Sequence, residues 1–303
     1  MLGWLTALCF WRRREVALAP PAGLAPLERI ILADGVARTL FEDYGEHYRS
    51  LRGDEEIGWV LMGLRQGSEA IAMAALPAGA ERDAGAAHIR FNAAAQALAS
   101  RLVRQKDKRL QILGVVHTHP GSFRIPSDGD LHGDRHWVRQ LRGGDGVFAI
   151  GTADARAGES TGAHLQVQGE LCFSWYALAA GAERYRRLPV QVTLGSDLAL
   201  PARSVWDTIE AQAGAIDHLC RQLAHVHLNV IEDDPENLLC VRIDLAAPQQ
   251  QLRLLLSTTE ARYYWDRDGQ VIAIDPHEPN LLRAVYLILA DLTKESERML
   301  VES

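Results

Sequence analysis

The chain has 303 residues, nearly half of them apolar, which is enough for two cored units rather than one minimal domain. With 32 basic and 39 acidic residues its net charge is −7, which argues against a nucleic-acid binder. Cys9, Cys172, Cys220 and Cys240 are widely spaced and form no CxxC pair, which argues against a thiol zinc site or a disulfide framework, and a reducing, cytoplasmic setting is expected.

In chain order, Met1 to Trp11 is apolar and is followed by Arg12 to Arg14, the reverse of a secretory signal and too short to span a bilayer. Residues 15–27 are rich in Ala and Pro and read as a linker. A short strand at Arg29–Ala33 leads to a helix capped by Asp34 and reaching about Leu51. Two apolar strands, Ile57–Leu64 and Ala70–Leu76, are joined by the turn at Arg65-Gln66-Gly67-Ser68. Asn92 caps a second helix, and Leu110–Val116 is a continuous apolar run of the kind found in buried strands. Pro126-Ser127-Asp128 starts a third helix that extends to about Leu141. A strand at Val147–Gly151 and a hairpin over Ala163–Leu178 follow. Composition shifts over residues 179–203. Beyond it the pattern is helix (Trp206–Leu223), five strands between Val226 and Ile274, and a closing helix (Leu281–Leu292).

The chemistry lies between the buried strand and the third helix. His117 and His119, two apart at a strand end, project to the same side and can reach one ion. Ser127 and Asp130, three apart, share one face of the first turn of the next helix. Two imidazoles and one carboxylate leave the fourth position of tetrahedral zinc open, the composition of a catalytic site rather than a closed structural one. His132 and His136 stand at i and i+4 but lack the HExxH pattern, and together with Asp134 they read as surface or supporting groups. His225 and His227 read as structural. Trp59 and Phe123 are candidates for a substrate channel or for core.

His117-Thr118-His119-Pro120, then Ser127 and Asp130 at these spacings, resembles the motif of the JAMM, or MPN-plus, metalloproteases. That family also has an upstream Glu two residues before a Gly, with another Gly five positions later. Glu56, Gly58 and Gly63 match this pattern, and Glu55 is the competitor. The resemblance covers roughly residues 25–180. It implies an α+β MPN domain with a central mixed sheet and flanking helices over residues 25–185. An N-terminal segment and linker (1–24) would precede it, and a smaller α+β domain (186–303) that binds substrate or partner would follow. The element order of that last part loosely resembles ubiquitin-conjugating or RWD-like folds, an analogy of order alone.

The resemblance further implies a Zn2+ ion on His117, His119 and Asp130. Glu56 would act as the general base and acid, and Ser127 as the hydrogen-bond donor to the oxyanion. It implies an isopeptidase or peptidase acting after the C-terminal Gly tail of a ubiquitin-like protein. The Ala- and Arg-rich composition points to a bacterial pathway, such as conjugation-based antiphage defence, with E1- and E2-like enzymes as further partners. The alternatives are a peptidase that processes a carrier-protein tail in sulfur transfer, and a non-catalytic MPN scaffold. Neither nucleic acid nor a membrane span is expected.

Overall fold

The computed structural model describes residues 24–79, 83–85, 88–156, 162–232, 236–245 and 250–302. Strand β1 (Arg29–Ala33) runs into helix α1 (Asp34–Tyr48), and the hairpin β2 (Gly58–Gln66) and β3 (Glu69–Pro77) follows. Gly67 makes the hairpin turn with φ +54°, a conformation that a residue with a Cβ resists. A two-stranded ribbon, β4 (Asp83–Gly85) and β5 (His88–Arg90), precedes α2 (Ala93–Arg104). Then come β6 (Gln111–Thr118), α3 (Asp128–Val138), β7 (Asp145–Thr152), β8 (Leu165–Gln168), β9 (Leu171–Ala179), β10 (Arg186–Arg187) and β11 (Val190–Thr193). Asn92 caps α2 as its position in the sequence suggests, its side chain accepting from the Ala95 N–H at 3.1 Å.

All these strands except β4 and β5 form one nine-stranded sheet, ordered β10-β9-β7-β6-β2-β3-β1-β11 with β8 added on β9. The pairs β6–β7, β1–β3 and β1–β11 are parallel and the rest antiparallel, so the sheet is mixed, as expected. Successive side chains of a strand point to opposite faces. On β2, Trp59 and Leu61 enter a core shared with Val36, Leu40 and Phe41 of α1. Val60 and Met62 enter another, shared with Leu98 and Leu102 of α2.

The rest of the chain is α4 (Leu200–Arg203), α5 (Trp206–Gln222), β12 (Val226–Ile231), β13 (Leu238–Asp244), β14 (Gln250–Leu256), β15 (Ala261–Arg267), β16 (Gln270–Ile274) and α6 (Leu281–Glu302). The five strands make an antiparallel meander in sequence order. Ile209 and Ile216 of α5, with Leu239, Val241, Leu252 and Leu254 of the meander, belong to the same apolar cluster as Val60 and Leu98. Helix α2 packs on α5, and α5 on β13 and α6, so the two sheets share a core.

Three expectations need correction. The boundary at residue 185 cuts through the first sheet. Arg186–Arg187 pairs with β9, and Val190–Thr193 lies parallel to β1 in the register Ile30↔Val190 to Ala33↔Thr193. The division between the sheets therefore falls after Thr193. Asp34 is the first residue of α1 rather than its cap, with Ala33 in the cap position. Its Oδ1 instead accepts from the Gly195 N–H at 2.8 Å, and the helix stops at Tyr48. Leu27, read as the end of a linker, is 1% exposed and its N–H donates to Asp145 Oδ2 at 2.7 Å. The apolar stretch Met1 to Trp11 and most of the linker lie outside the described residues. Cys240 is buried in mid-strand as expected. Among the described residues no helix is long and apolar enough to cross a membrane.

Candidate metal centre

The site begins at the end of β6, an interior strand in register with β2 through Gly58↔His117 and with β7 through His117↔Ile150. Being two apart, His117 and His119 leave the strand on one side. The His119 N–H prolongs the pairing by donating to Gly151 O at 2.8 Å. Thr118 points the other way and is 1% exposed. Its Oγ1 accepts from the Ile57 N–H at 3.0 Å, and its own N–H donates to Ile57 O at 2.9 Å. The strand that holds the histidines thus also grips the segment carrying Glu56. Gly151 makes room for it, because a Cβ there would lie 3.0 Å from Thr118 Cγ2 and 2.8 Å from the Phe173 ring.

From His119 the chain loops to α3. The Phe123 carbonyl can only accept, so the 2.8 Å contact to it makes His119 Nδ1 a donor. The Phe123 ring stacks on the same imidazole, centroids 6.1 Å apart and planes 15° apart. The Tyr176 hydroxyl donates to Arg124 O at 2.7 Å, and Arg124 Nε donates to Asp154 Oδ1 at 2.9 Å, which fixes the loop. Ser127 then opens α3 with a capping box. Its Oγ accepts from the Asp130 N–H at 3.2 Å, while its own N–H donates to Asp130 Oδ2 at 2.6 Å.

The capping geometry delivers the carboxylate to the histidines. Asp130 Oδ1 is 3.1 Å from His117 Nε2, Asp130 Oδ2 is 3.3 Å from His119 Nε2, and the two Nε2 atoms are 3.2 Å apart. Four ligands around zinc at about 2.0–2.1 Å form a tetrahedron whose edges are about 3.3–3.4 Å. The closest approaches, made through both carboxylate oxygens, are near that edge length, each residue offers a donor atom within 4.8 Å of the others, and the donor types are those zinc takes, so the residues fit the ion. Burial pushes the Asp130 carboxyl up, but hydrogen bonds from His117 and His119 outweigh it, and the group is held far below the usual carboxylate range. Burial likewise disfavours the His119 imidazolium. Hydrogen bonds to Asp130 and the Phe123 carbonyl, with the charges of Asp130 and Glu56, reverse that and raise its pKa overall.

Glu56 is 4% exposed, its N–H donates to Gly85 O at 2.9 Å, and its charge is among those acting on His119. Glu55 turns away and accepts from Arg52 Nε at 2.8 Å, partly exposed. The geometry therefore groups Glu56, His117, His119, Ser127 and Asp130, and leaves Glu55 outside. His132 and His136 are exposed on α3, and His227 pairs with exposed Asp244 at 3.2 Å. Trp59 is core, its Nε1–H donating to Asp43 Oδ2 at 2.8 Å, whereas Phe123 is 57% exposed beside the site.

Asp134 takes the supporting rather than the surface alternative of its reading, with the charges of His117 and Asp130 acting on it. It is 7% exposed, accepts from the Tyr185 hydroxyl at 2.8 Å, and has its pKa raised to about 7, chiefly by burial. Its position four residues after Asp130, on the same face of α3, was the available signal.

Residues 38–164 match the family described as prokaryotic homologs of the JAB domain. Among solved structures, a protein of Desulfitobacterium hafniense known from a solution structure is 14% identical. The match covers 55% of this chain and 94% of that one, with a TM-score of 0.38. A JAB1/MPN domain protein from Archaeoglobus fulgidus is 13% identical, over 54% of this chain and 97% of that one, with a TM-score of 0.27. No curated protein sequence matches the chain. The family match spans Glu56, both histidines, Ser127 and Asp130, and the mixed sheet that positions them is the one the family implies. Over residues 38–164 the chain is thus similar to the prokaryotic JAB/MPN family.

Proposed function

We propose that the chain is a zinc-dependent peptidase or isopeptidase that cleaves the amide bond following the C-terminal Gly tail of a ubiquitin-like protein. The observation that carries this reading is the convergence of donor atoms of His117, His119 and Asp130 within 4.8 Å of one another, with Glu56 buried and its charge acting on His119. The family includes zinc metalloisopeptidases, which supports the same reaction class. A non-catalytic scaffold has no need of a complete donor set.

Zinc held by these residues would supply an acidified water and a Lewis acid for the substrate carbonyl. To bind it, His117 and His119 would offer their Nε2 atoms, with the His119 ring oriented by its Nδ1–H bond to the Phe123 carbonyl, and Asp130 would add the compensating charge. The Glu56 carboxylate takes a proton from the attacking water and returns it to the departing amine. The Ser127 oxygen accepts from the Asp130 N–H, which leaves its own O–H free to donate to the developing oxyanion. The Gly-tail substrate follows from the JAMM resemblance, and a bacterial ubiquitin-like pathway, antiphage defence included, is the setting we propose.

Metal analysis after zinc reconstitution should give one zinc per chain. Glu56→Gln should keep that zinc and lose about 10²–10⁴-fold in turnover of a Gly-Gly isopeptide, as expected for a missing acid–base group. Glu55→Gln should be nearly unchanged. A dead Glu55→Gln beside an active Glu56→Gln, or a chain that takes up no zinc, would sink the assignment.

A further inference from the structure

A groove of about 880 Å³ lies between α2, α3 and the ribbon strand β5. Its floor is apolar, made by Val60, Phe91, Ile112 and Trp137. Phe91 and Trp137 meet edge to face, centroids 6.4 Å apart and planes at 80°. One end adjoins the site. The side chains of Phe91 and Ile89 come within 3.1 and 3.3 Å of where a Cβ on Gly58 would stand, and Gly58 is the residue in register with His117. One wall is continuous with the site as well, since Trp137 lies seven residues after Asp130 on α3, two turns along the same face.

The rim has a single sign of charge. Arg101, Arg104 and Lys108 are exposed along it, Arg90 also lines it, and among the described residues no Asp or Glu does. This occurs in a chain of net charge −7, so the patch opposes the overall field. Three or four cations above an apolar floor complement a chain that alternates carboxylates with apolar side chains. The carboxylates meet the rim and the apolar groups reach the rings.

We propose that this groove binds an acidic, apolar-anchored stretch of the substrate polypeptide next to the cleaved amide, so that the enzyme selects Asp- or Glu-rich tails and rejects basic ones. The proposal rests on the peptidase reading above and narrows its substrate class. A single-stranded nucleic acid is the other polyanion that basic and aromatic grooves hold. Here, however, the two rings pack against each other and into the core instead of standing free to stack on bases, and the remaining surface repels a long polyanion.

The test is binding without turnover. Fluorescence anisotropy of the full chain would be measured with a dye-labelled peptide of sequence Glu-Leu-Glu-Leu-Glu-Gly-Gly and with its counterpart carrying Lys for each Glu. The acidic peptide should bind at least about tenfold tighter at low salt, and the advantage should shrink as salt is raised, because exposed charges are screened. The double variant R101E/R104E should erase the preference or reverse it, and Lys108→Glu alone should weaken it. All three positions are exposed, and zinc uptake of each variant checks that it is folded. Equal binding of the two peptides, no binding of either, or a preference that survives R101E/R104E overturns the proposal. So does tighter binding of a ten-nucleotide oligo-dT than of the acidic peptide. Because no bond is cut in this assay, the two readings fail separately. A chain that binds the acidic peptide but never cleaves a Gly-Gly amide counts against the peptidase. A chain that cleaves but shows no charge preference counts against the groove.

Discussion

In the nine-stranded sheet β6 and β7 run parallel, so the chain must leave the end of β6, cross over through α3 and return to the start of β7. In the five-stranded sheet every strand is followed by its antiparallel neighbour, and among the described residues no helix stands between them. The crossover leaves the carboxyl end of β6 open and sets a helix N-terminus beside it, where open sheets generally bind ligands. The meander closes each strand end with a connection back. The chain has 11 histidines, yet among the described residues the one three-donor cluster is His117, His119 and Asp130, at the crossover. Strand direction, not the supply of polar residues, decides where donors can converge.

The meander's part is apolar: it and α5 cover the outer side of α2. The most drastic way to break the comparison is to cut the chain after Thr193. That strips α4 to α6 and the meander from Leu98 and Leu102, and it should leave no cooperatively folded, soluble chain, checked by circular dichroism and a thermal melt. A truncated protein that melts cooperatively and takes up one zinc would instead make the two sheets independent.

A second prediction concerns the crossover helix itself. Burial raises the Asp134 carboxyl to about 7, against about 3.9 in an unfolded chain. The folded form therefore holds the proton more tightly, and this contribution to stability, present below about pH 4, is lost as pH rises toward 7 and above. Asp134→Asn keeps an acceptor for the Tyr185 hydroxyl but cannot ionise. In metal-free protein it should gain on the order of 2–4 kcal/mol over the wild type between pH 4 and pH 8. Urea melts at the two pH values measure it, and identical pH slopes for both proteins would show that Asp134 ionises normally.

The smallest effect belongs to Thr118→Val, which keeps the side-chain shape and leaves the buried Ile57 N–H without its acceptor. It should cost about 1–3 kcal/mol. By loosening the segment that carries Glu56, it should also lower kcat more than it changes KM, with zinc retained. Unchanged kcat would mean that Glu56 is held in place without the Thr118 bond.

Local patterns made the site legible before any coordinates. The apolar run ending at His117, the i, i+2 histidines and the Ser127–Asp130 helix start are all encoded within a stretch of 20 or so residues, and the hairpin of β2 and β3 was equally plain. What escaped depends on distant partners. Val190–Thr193 reads as a strand, but nothing nearby says that it lies parallel to β1, about 160 residues earlier in sequence. Asp34 looks like a cap until Gly195 claims its side chain. Asp134 looks like one more charge on a polar helix, and only the packing of Tyr185 against α3 buries it.

The capping box at Ser127 bears on how such sequences are read across species. Asp130 answers to two masters: one carboxylate closes the first turn of α3 and also faces the imidazoles. A descendant that discarded catalysis would still need to begin that helix. Selection for a stable fold alone would then preserve the Ser-x-x-Asp half of the signature. The histidines have no such second employment in helix initiation. When a relative's sequence is scanned for lost activity, erosion at positions equivalent to 117 and 119 is therefore the earlier and more truthful witness, and survival at 127 and 130 testifies mainly to the helix.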